Sequence, residues 1–315
     1  MILIPTVLYL GSSGPDVMEL HERLRALDSV IGFSQWDLFT EETASAVEAF
    51  QRSRGLPITG SVDSDTWCRL DEARWRLGDR LLYLAKEYLR GDDVADLQYR
   101  LSRLGFDPGR IDGVFGPLLD GALREFQDNC GQTATGVMDR ATWIELLRVT
   151  PTTPATTLVS DLRDANRLRH ARGPIVVSGD SCLTTSLPFT LPGHVVTSPS
   201  TWSPSELASD ANSRDALVVL ICREVAKLGV FRLHYWAGYR THSRSGERLA
   251  SSIMMNLANS SVDLRVEIQG MALPVLRETR MTTVYVEHGP LAPGVCEQVA
   301  EEIRRSIDDL FHTVH

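Results

Sequence analysis

Lysine, paired cysteine motifs and long apolar runs are all scarce in this sequence of 315 residues. Lys86 and Lys227 are the only lysines among 32 basic residues, and the net charge is −9. An acidic chain of this kind is not a nucleic-acid binder that works through bulk positive charge. No apolar run approaches the roughly 18 residues of a membrane-spanning helix, so the sequence predicts no membrane span.

The five cysteines form no C-x-x-C motif, and their odd number favours reduced, buried thiols over a disulfide framework. The apolar start of the chain, Met1 to Leu10, carries no positively charged segment and no cleavage motif after it. Motifs of serine hydrolases, P-loop proteins and dinucleotide-binding proteins are absent. We therefore expect a cytoplasmic protein, with enough apolar residues (43%) to form packed domains.

An internal repeat occupies the first half of the chain, at an offset of 77 residues that becomes 76 after one loop. Each copy opens with Asp-Val, at Asp16 and Asp93, and continues with three leucines at helical spacing. These are Leu20, Leu24 and Leu27 in the first copy and Leu97, Leu101 and Leu104 in the second. Both copies then carry a Phe-Gln pair, a glycine, an aspartate and a Thr-Trp pair, which predicts three short helices per copy.

The second copy resembles the three-helix peptidoglycan-binding domains, through Leu97-Gln98, Asp112-Gly113-Val114-Phe115-Gly116 and Phe126-Gln127. The first copy departs from that pattern, since residues 37–40 stand where the glycine-rich loop should be. The resemblance implies a shallow groove for the glycan and peptide of the cell wall. Its candidate residues are Asp112, Gly113, Phe115, Gln127 and Trp143.

Residues in such positions more often pack in a core or, at Asp112-Gly113, form a tight turn than contact a ligand, so the binding function rests on the resemblance alone. Residues 74–86, between the copies, are arginine-rich and are predicted to be helical, so that the two copies pack together. A Pro/Thr-rich linker at residues 151–157 marks the end of the repeat.

Beyond the linker, short β-branched runs alternate with helical segments, which predicts an open α/β sheet covered on both faces. The predicted strands begin at Ile175, His194, Leu217, Phe231 and Thr283, and the predicted helices span residues 158–171, 243–259 and 295–310. The predicted fold class is therefore multidomain: two small all-α modules, residues 1–74 and 75–150, followed by an α/β domain at residues 158–315.

This second half resembles the zinc-dependent N-acetylmuramoyl-L-alanine amidases, mainly through residues 231–253 and residues 276–289. The whole layout is similar to that of actinobacterial CwlM-type proteins, which carry two peptidoglycan-binding modules ahead of an amidase-like domain. The resemblance implies a zinc ion held by two histidines and a carboxylate, together with a separate glutamate that moves protons. Glu287 lies where the family has that glutamate.

The zinc ligands themselves do not match. Ser181 lies in the segment that should carry the first histidine, and Cys222 takes the place of the second. Only residues 182–192 separate the first two strands, which is too short for the helix that bears the carboxylate ligand. We therefore predict that the zinc site is lost, that no cofactor is bound and that Glu287 is vestigial. A replacement site built from Cys182, Cys222 and nearby histidines (His194, His234 and His288) is the alternative.

These observations predict a non-catalytic, cytoplasmic protein that regulates or scaffolds peptidoglycan synthesis. Its expected partners are proteins of peptidoglycan precursor synthesis and peptidoglycan fragments, with no nucleic acid and no membrane span. The alternative is an active, diverged N-acetylmuramoyl-L-alanine amidase, a peptidoglycan hydrolase that uses an unrecognised metal site.

Overall fold

The structure is a computed structural model that describes residues 7–28, 31–150, 158–170, 173–191, 193–226 and 229–312. The predicted linker at residues 151–157 and the first six residues lie outside these ranges. The chain divides into two compact units. Unit 1 runs to Ser160 and includes Gly238–Arg240, and unit 2 contains Asp161–Ala237 and the chain from Thr241 onward.

Unit 1 contains the two predicted copies of a three-helix arrangement. The first copy has α1 (Pro15–Leu27), α2 (Glu41–Ser53) and α3 (Ser64–Ala73), and the second has α4 (Asp92–Arg103), α5 (Pro117–Asn129) and α6 (Arg140–Val149). Each copy has its own apolar core, in which Leu20 and Leu24 correspond to Leu97 and Leu101. The predicted helices are present because their leucine stripes have a partner surface to bury against.

The two copies also share a polar framework around a buried glutamine. The amide nitrogen of Gln127 donates to the carbonyl of Val137 at 3.0 Å, and its oxygen accepts from the amide of Gly136 at 2.9 Å. Gln51 makes the same pair of contacts in the first copy, with Ser61 at 2.8 Å and Gly60 at 3.1 Å. This arrangement satisfies backbone groups in the loop before the last helix.

The aspartate of each copy begins its last helix. The carboxylate of Asp63 accepts from the amide of Thr66 at 2.8 Å, and that of Asp139 accepts from the amide of Thr142 at 2.8 Å. Both aspartates are therefore N-caps, as the spacing predicts.

The predicted helix at residues 74–86 is absent. Leu82 instead pairs with Met138 through two backbone hydrogen bonds, and Gly78 adopts a left-handed conformation with φ of +107°. The segment is therefore an extended chain that pairs with the loop before α6. Periodicity alone does not distinguish this short apolar run from a helix.

Unit 2 is a mixed, six-stranded sheet with helices on both faces, so the predicted fold class is confirmed. Its strands are β1 (Ile175–Gly179), β2 (Val195–Ser198), β3 (Val218–Glu224), β4 (Phe231–Trp236), β5 (Val266–Met271) and β6 (Thr282–His288), in the spatial order β2-β1-β3-β6-β4-β5. Strands β1, β2, β3 and β6 are mutually parallel, whereas β4 runs antiparallel to β6.

The helices divide between the two faces. They are α7 (Val159–His170), α8 (Cys182–Thr190), α9 (Pro204–Ser213), α10 (Arg244–Asn259), α11 (Pro274–Glu278) and α12 (Pro293–His312). Helices α8, α10 and α12 bury one face of the sheet, and α9 and α11 pack on the other. None of the helices in the described ranges is long and apolar enough to cross a membrane.

Three expectations for this unit require correction. Residues 182–192 do hold a helix, α8, because nine residues with apolar side chains facing the sheet suffice to connect two adjacent parallel strands. The sequence prediction also missed α9, α11 and β5. Cys182 and Cys296 form a disulfide, with Cα atoms 6.5 Å apart, whereas Cys68, Cys130 and Cys222 are free. Both bonded cysteines lie at the starts of helices that pack side by side, a proximity that counting cysteines does not show.

Candidate functional site

The carboxyl ends of β1, β3 and β6 meet at one edge of the sheet and bring Gly179, Cys222 and Glu287 into neighbouring positions. Gly179 has φ of +129°, and a side chain there would place its Cβ only 1.8 Å from the carbonyl oxygen of Cys222. Only glycine fits this close approach. The amide of Asp180 then donates to the same carbonyl at 3.2 Å, which directs the chain away from the sheet.

Glu287 presents a half-buried carboxylate at this edge. His234 Nε2 lies 3.3 Å from Glu287 Oε2. This hydrogen bond holds the pKa of Glu287 below its ordinary value, with further help from the positive charges of Arg232 and Arg223. The carboxylate is therefore ionised near neutral pH.

His234 reaches Glu287 because β4 lies antiparallel beside β6. Its side chain is almost fully buried at 4% exposure, next to the ring of Tyr285 at a centroid distance of 6.1 Å. Since the carboxylate can only accept, the proton of the shared hydrogen bond lies on Nε2. Nδ1 is buried without a hydrogen-bond partner. Sequence reasoning considered His234 only as a metal ligand and missed this pairing, because strand direction is not encoded in the strand pattern itself.

Arg223 adds a positive charge at this edge. It hydrogen-bonds to the side chain of Tyr285, and its own pKa is raised by that contact and by the charges of Asp180 and Glu287. Arg223 and Glu287 occupy the same register position on β3 and β6. The edge therefore combines a carboxylate, an imidazole and a guanidinium on one face of the sheet.

Cys222 lies on the other face. It is completely buried in the core beneath α8, α10 and α12, and burial raises the pKa of its thiol to about 12. A protonated, inaccessible thiol is neither a nucleophile nor a metal ligand. Ser181, the other position where the amidase family has a zinc ligand, is also buried, and its hydroxyl has no hydrogen-bond partner.

The groups of the alternative metal site are not brought together. Cys182 is in the disulfide with Cys296, and His194 precedes β2, at the sheet edge opposite Glu287. His288 is buried against Phe231, and its Nδ1 lies 2.6 Å from the carbonyl oxygen of Gly289. Within the described ranges, no three His, Cys, Asp or Glu side chains form a group that could hold a metal ion.

In the second module, the predicted groove residues Asp112 and Gly113 form a turn held by Gln98. The amide nitrogen of Gln98 donates to Asp112 Oδ1 at 3.0 Å, and its oxygen accepts from the amide of Gly113 at 2.8 Å. Gly113 requires its φ of +75°, and a Cβ there would lie 3.0 Å from the carbonyl oxygen of Gly91. Asp112 and Gly113 thus shape the loop, whatever they bind.

The remaining groove residues differ in accessibility. The side chains of Phe115 and Gln127 are buried, at 0% and 1% exposure, and therefore present no surface to a ligand. Trp143 is only partly buried, with the guanidinium of Arg100 above its ring at 5.5 Å. Of the five candidates, Trp143 is the aromatic side chain that a ligand could reach.

The comparisons with known proteins agree with this architecture. The family described as "Putative peptidoglycan binding domain" matches residues 13–70 and 90–146. N-acetylmuramoyl-L-alanine amidase CwlM of Mycobacterium tuberculosis is 32% identical over 292 residues, which cover 80% of this chain and 72% of that protein. The chain belongs to the CwlM family. The predicted layout of paired peptidoglycan-binding modules ahead of an amidase-like domain is thereby confirmed.

Two further similarities are to other N-acetylmuramoyl-L-alanine amidases. N-acetylmuramoyl-L-alanine amidase CwlL of Bacillus licheniformis is 26% identical over 153 residues, 42% of each protein. The catalytic domain of the amidase CwlV from Bacillus (Paenibacillus) polymyxa is 13% identical, with a TM-score of 0.38, over 45% of this chain and 99% of that domain.

The CwlM family membership corrects the prediction that this chain is not an enzyme. CwlM and CwlL are both named N-acetylmuramoyl-L-alanine amidases, and no feature of the described residues shows a loss of activity. The residues present nevertheless do not fit a zinc ion held by two histidines and a carboxylate. The loss of the zinc site stays a prediction, which the metal content of the purified protein tests. We assign no catalytic role to a metal.

Proposed function

We propose that this protein acts on peptidoglycan as an N-acetylmuramoyl-L-alanine amidase, the activity for which its relatives CwlM and CwlL are named. The single observation that carries this proposal is the ionised carboxylate of Glu287, hydrogen-bonded to His234 at the carboxyl edge of the sheet. An ionised carboxylate held in a fixed position is a suitable general base for hydrolysis.

The reaction is the addition of one water molecule to an amide bond. Glu287 takes a proton from the water as its oxygen attacks the amide carbonyl, and the same proton then passes to the leaving nitrogen. The carbon–nitrogen bond breaks, giving a carboxylic acid on the sugar side and a free amine on the alanine. Arg223, held by Tyr285 on the same face, supplies positive charge beside the oxygen that becomes negative.

The two peptidoglycan-binding modules attach the protein to the polymer. Two linked modules that bind one chain raise the effective concentration of the second contact, so the pair binds more tightly than either module alone. Contact with proteins of peptidoglycan precursor synthesis stays a prediction, because no surface of the described residues singles out such a partner.

The disulfide between Cys182 and Cys296 favours an oxidising compartment for this protein. Cytosolic thiols are kept reduced, whereas the wall polymer lies outside the cytoplasm. We therefore propose a location at the cell wall, as the alternative to the cytoplasmic location that the sequence predicts.

Hydrolysis of purified peptidoglycan by the full-length protein tests the proposal. The measurement is the release of free N-terminal alanine, with and without a chelator, alongside the metal content of the protein. We expect Glu287→Gln to abolish release and Glu297→Gln, an exposed glutamate on α12, to leave it unchanged. No release by the wild type, or equal release by wild type and Glu287→Gln, would show that the proposal is wrong.

A further inference from the structure

Unit 1 contains a pocket of about 430 Å³, which we call the junction pocket. Its walls come from α1 and α2 of the first module, the chain after α3, the start of α4 in the second module, and Tyr239. A volume of this size lies within the roughly 300–1,000 Å³ of ligand-binding pockets. None of the groove residues implied by the family resemblance lines it.

A nearly buried ion pair forms one side of the junction pocket. The guanidinium of Arg54 lies 2.8 Å from the carboxylate of Asp92, and their side chains are only 11% and 17% exposed. The Nε–H of Arg54 is buried without a hydrogen-bond partner. Tyr239 lies against the same guanidinium, with its ring centroid 4.3 Å away. Burial raises the pKa of Asp92 to about 6, in spite of the lowering effect of Arg54.

Charges of both signs line the rest of the pocket. Besides the Arg54–Asp92 pair, the lining contains Arg74, Arg76, Asp28 and Asp96. Arg74 and Arg76 are exposed, so their guanidinium groups can meet carboxylates from solvent. Between these charges lie apolar surfaces, namely those of Leu24, Leu27, Ile31, Ala46, Ala49, Phe50, Ala73 and Trp75.

This lining complements a ligand that carries carboxylates, an amine and small apolar side chains. We propose that the junction pocket binds the peptide stem of peptidoglycan rather than its glycan. An uncharged sugar would leave the charged groups of the pocket desolvated without compensation, which costs binding free energy. The inference rests on the proposed function, because it assigns a site to the polymer that the modules hold.

The geometry also assigns a role to the pairing of the two modules. The pocket needs helices from both copies, so neither copy forms it alone. The second module does not repeat this lining, because Glu125 stands at the position that is equivalent to Ala49. The two copies therefore contribute one peptide site between them.

Calorimetric titration of the full-length protein with two soluble probes tests this inference. The first probe is an alanyl-glutamyl stem peptide with free carboxylates and a free amine, and the second is an uncharged disaccharide of N-acetylglucosamine. We expect the peptide alone to bind. Ala49→Trp, which fills the pocket from an exposed helix position, should weaken peptide binding at least about tenfold. Glu125→Trp, the same side chain at the equivalent position of the second copy, should not.

Arg76→Glu provides a second variant at an exposed position, where misfolding does not explain a loss, and it should also weaken peptide binding. Equal peptide affinity in wild type and Ala49→Trp, binding of the disaccharide instead, or no peptide binding by the wild type would each overturn the inference. Release of N-terminal alanine by the same wild-type preparation then shows separately whether the proposed function survives.

Discussion

Cys222 and Glu287 lie on adjacent parallel strands, one register step apart, yet their side chains leave opposite faces of the sheet. Cys222 is opposite Val286, and Glu287 is opposite Arg223. Alternation along a strand therefore places the thiol in the core and the carboxylate on the face of His234. A residue at position 222 cannot bind a metal ion beside Glu287 without a change in the strand, and this is the main geometric obstacle to a zinc site here.

His234 controls the proton affinity of Glu287. His234→Phe removes the hydrogen bond that most lowers the pKa of Glu287, so that pKa should rise. Because hydrolysis needs the carboxylate, the acidic limb of the pH–rate profile should move to higher pH. Carbon NMR of the Glu287 carboxyl group measures the same shift without any activity. His242→Phe, which breaks the exposed His242–Glu247 pair, is the control, and identical Glu287 titrations in both variants would contradict this role.

The disulfide should contribute measurably to the stability of unit 2. It links residues 114 positions apart, and removing it from Cys182 and Cys296 by double substitution to serine should cost roughly 2–4 kcal/mol of unfolding free energy. Cys68→Ser, at an exposed free thiol, is the control. Thiol titration of the denatured, unreduced protein should find three free thiols. A count of five would mean that the bond does not form.

His21 should make the first module sensitive to acid. Its Nδ1 lies 3.0 Å from the carbonyl of Trp36 and its Nε2 lies 2.8 Å from the hydroxyl of Thr43, while burial lowers its pKa. The unfolded chain then binds a proton more readily than the folded one. The stabilising contribution is therefore complete above the ordinary histidine pKa of about 6.5 and is lost as the pH falls through the lowered value.

His21→Gln introduces the residue that the second module has at the equivalent position, Gln98. Urea unfolding at several pH values should show that this variant loses less stability than the wild type between neutral and acidic pH. The Gln98→Ala variant provides a control for the second module, where no histidine is involved. Parallel pH dependence in wild type and His21→Gln would exclude His21 as the source of the acid sensitivity.

The buried glutamines should be equally important in both modules. Gln127→Ala leaves the buried amide of Gly136 without its partner and removes the hydrogen bond from Gln127 to the hydroxyl of Thr142, and should cost roughly 2 kcal/mol of unfolding free energy. Gln51→Ala should cost about as much in the first module, because it makes the corresponding bonds. Gln298→Ala, at an exposed position of α12, should change little. A large difference between the two buried positions would show that the modules are not built alike.

Local pattern predicted most of the secondary structure. The leucine stripes of α1 and α4 and the caps at Asp63 and Asp139 depend on neighbours within one or two turns, so their signal is contained in short stretches of sequence. The sequence does not show helix α8, because Pro188 and four Ser or Thr residues among its nine interrupt the helical period. The length of residues 182–192 by itself predicts no helix between β1 and β2.

The candidate site was only half predictable. Glu287 was found through its resemblance to the amidase strand, whereas its partner His234 depends on the antiparallel placement of β4. Strand order and direction arise from contacts between distant segments, and no local pattern records them. The same is true of the disulfide, which needs α8 and α12 side by side.

The sequence by itself determined the repeat, the negative net charge and the class of each domain, because composition and periodicity can be read from short stretches of sequence. The scarcity of cysteine motifs correctly excluded a disulfide-rich scaffold but did not exclude a single long-range bond. Only the tertiary structure decided that Cys182 meets Cys296, that Cys222 turns away from Glu287, and that both modules share one pocket. Each of these depends on the packing of segments far apart in the chain, where the free energy is set by contacts that form only in the complete fold.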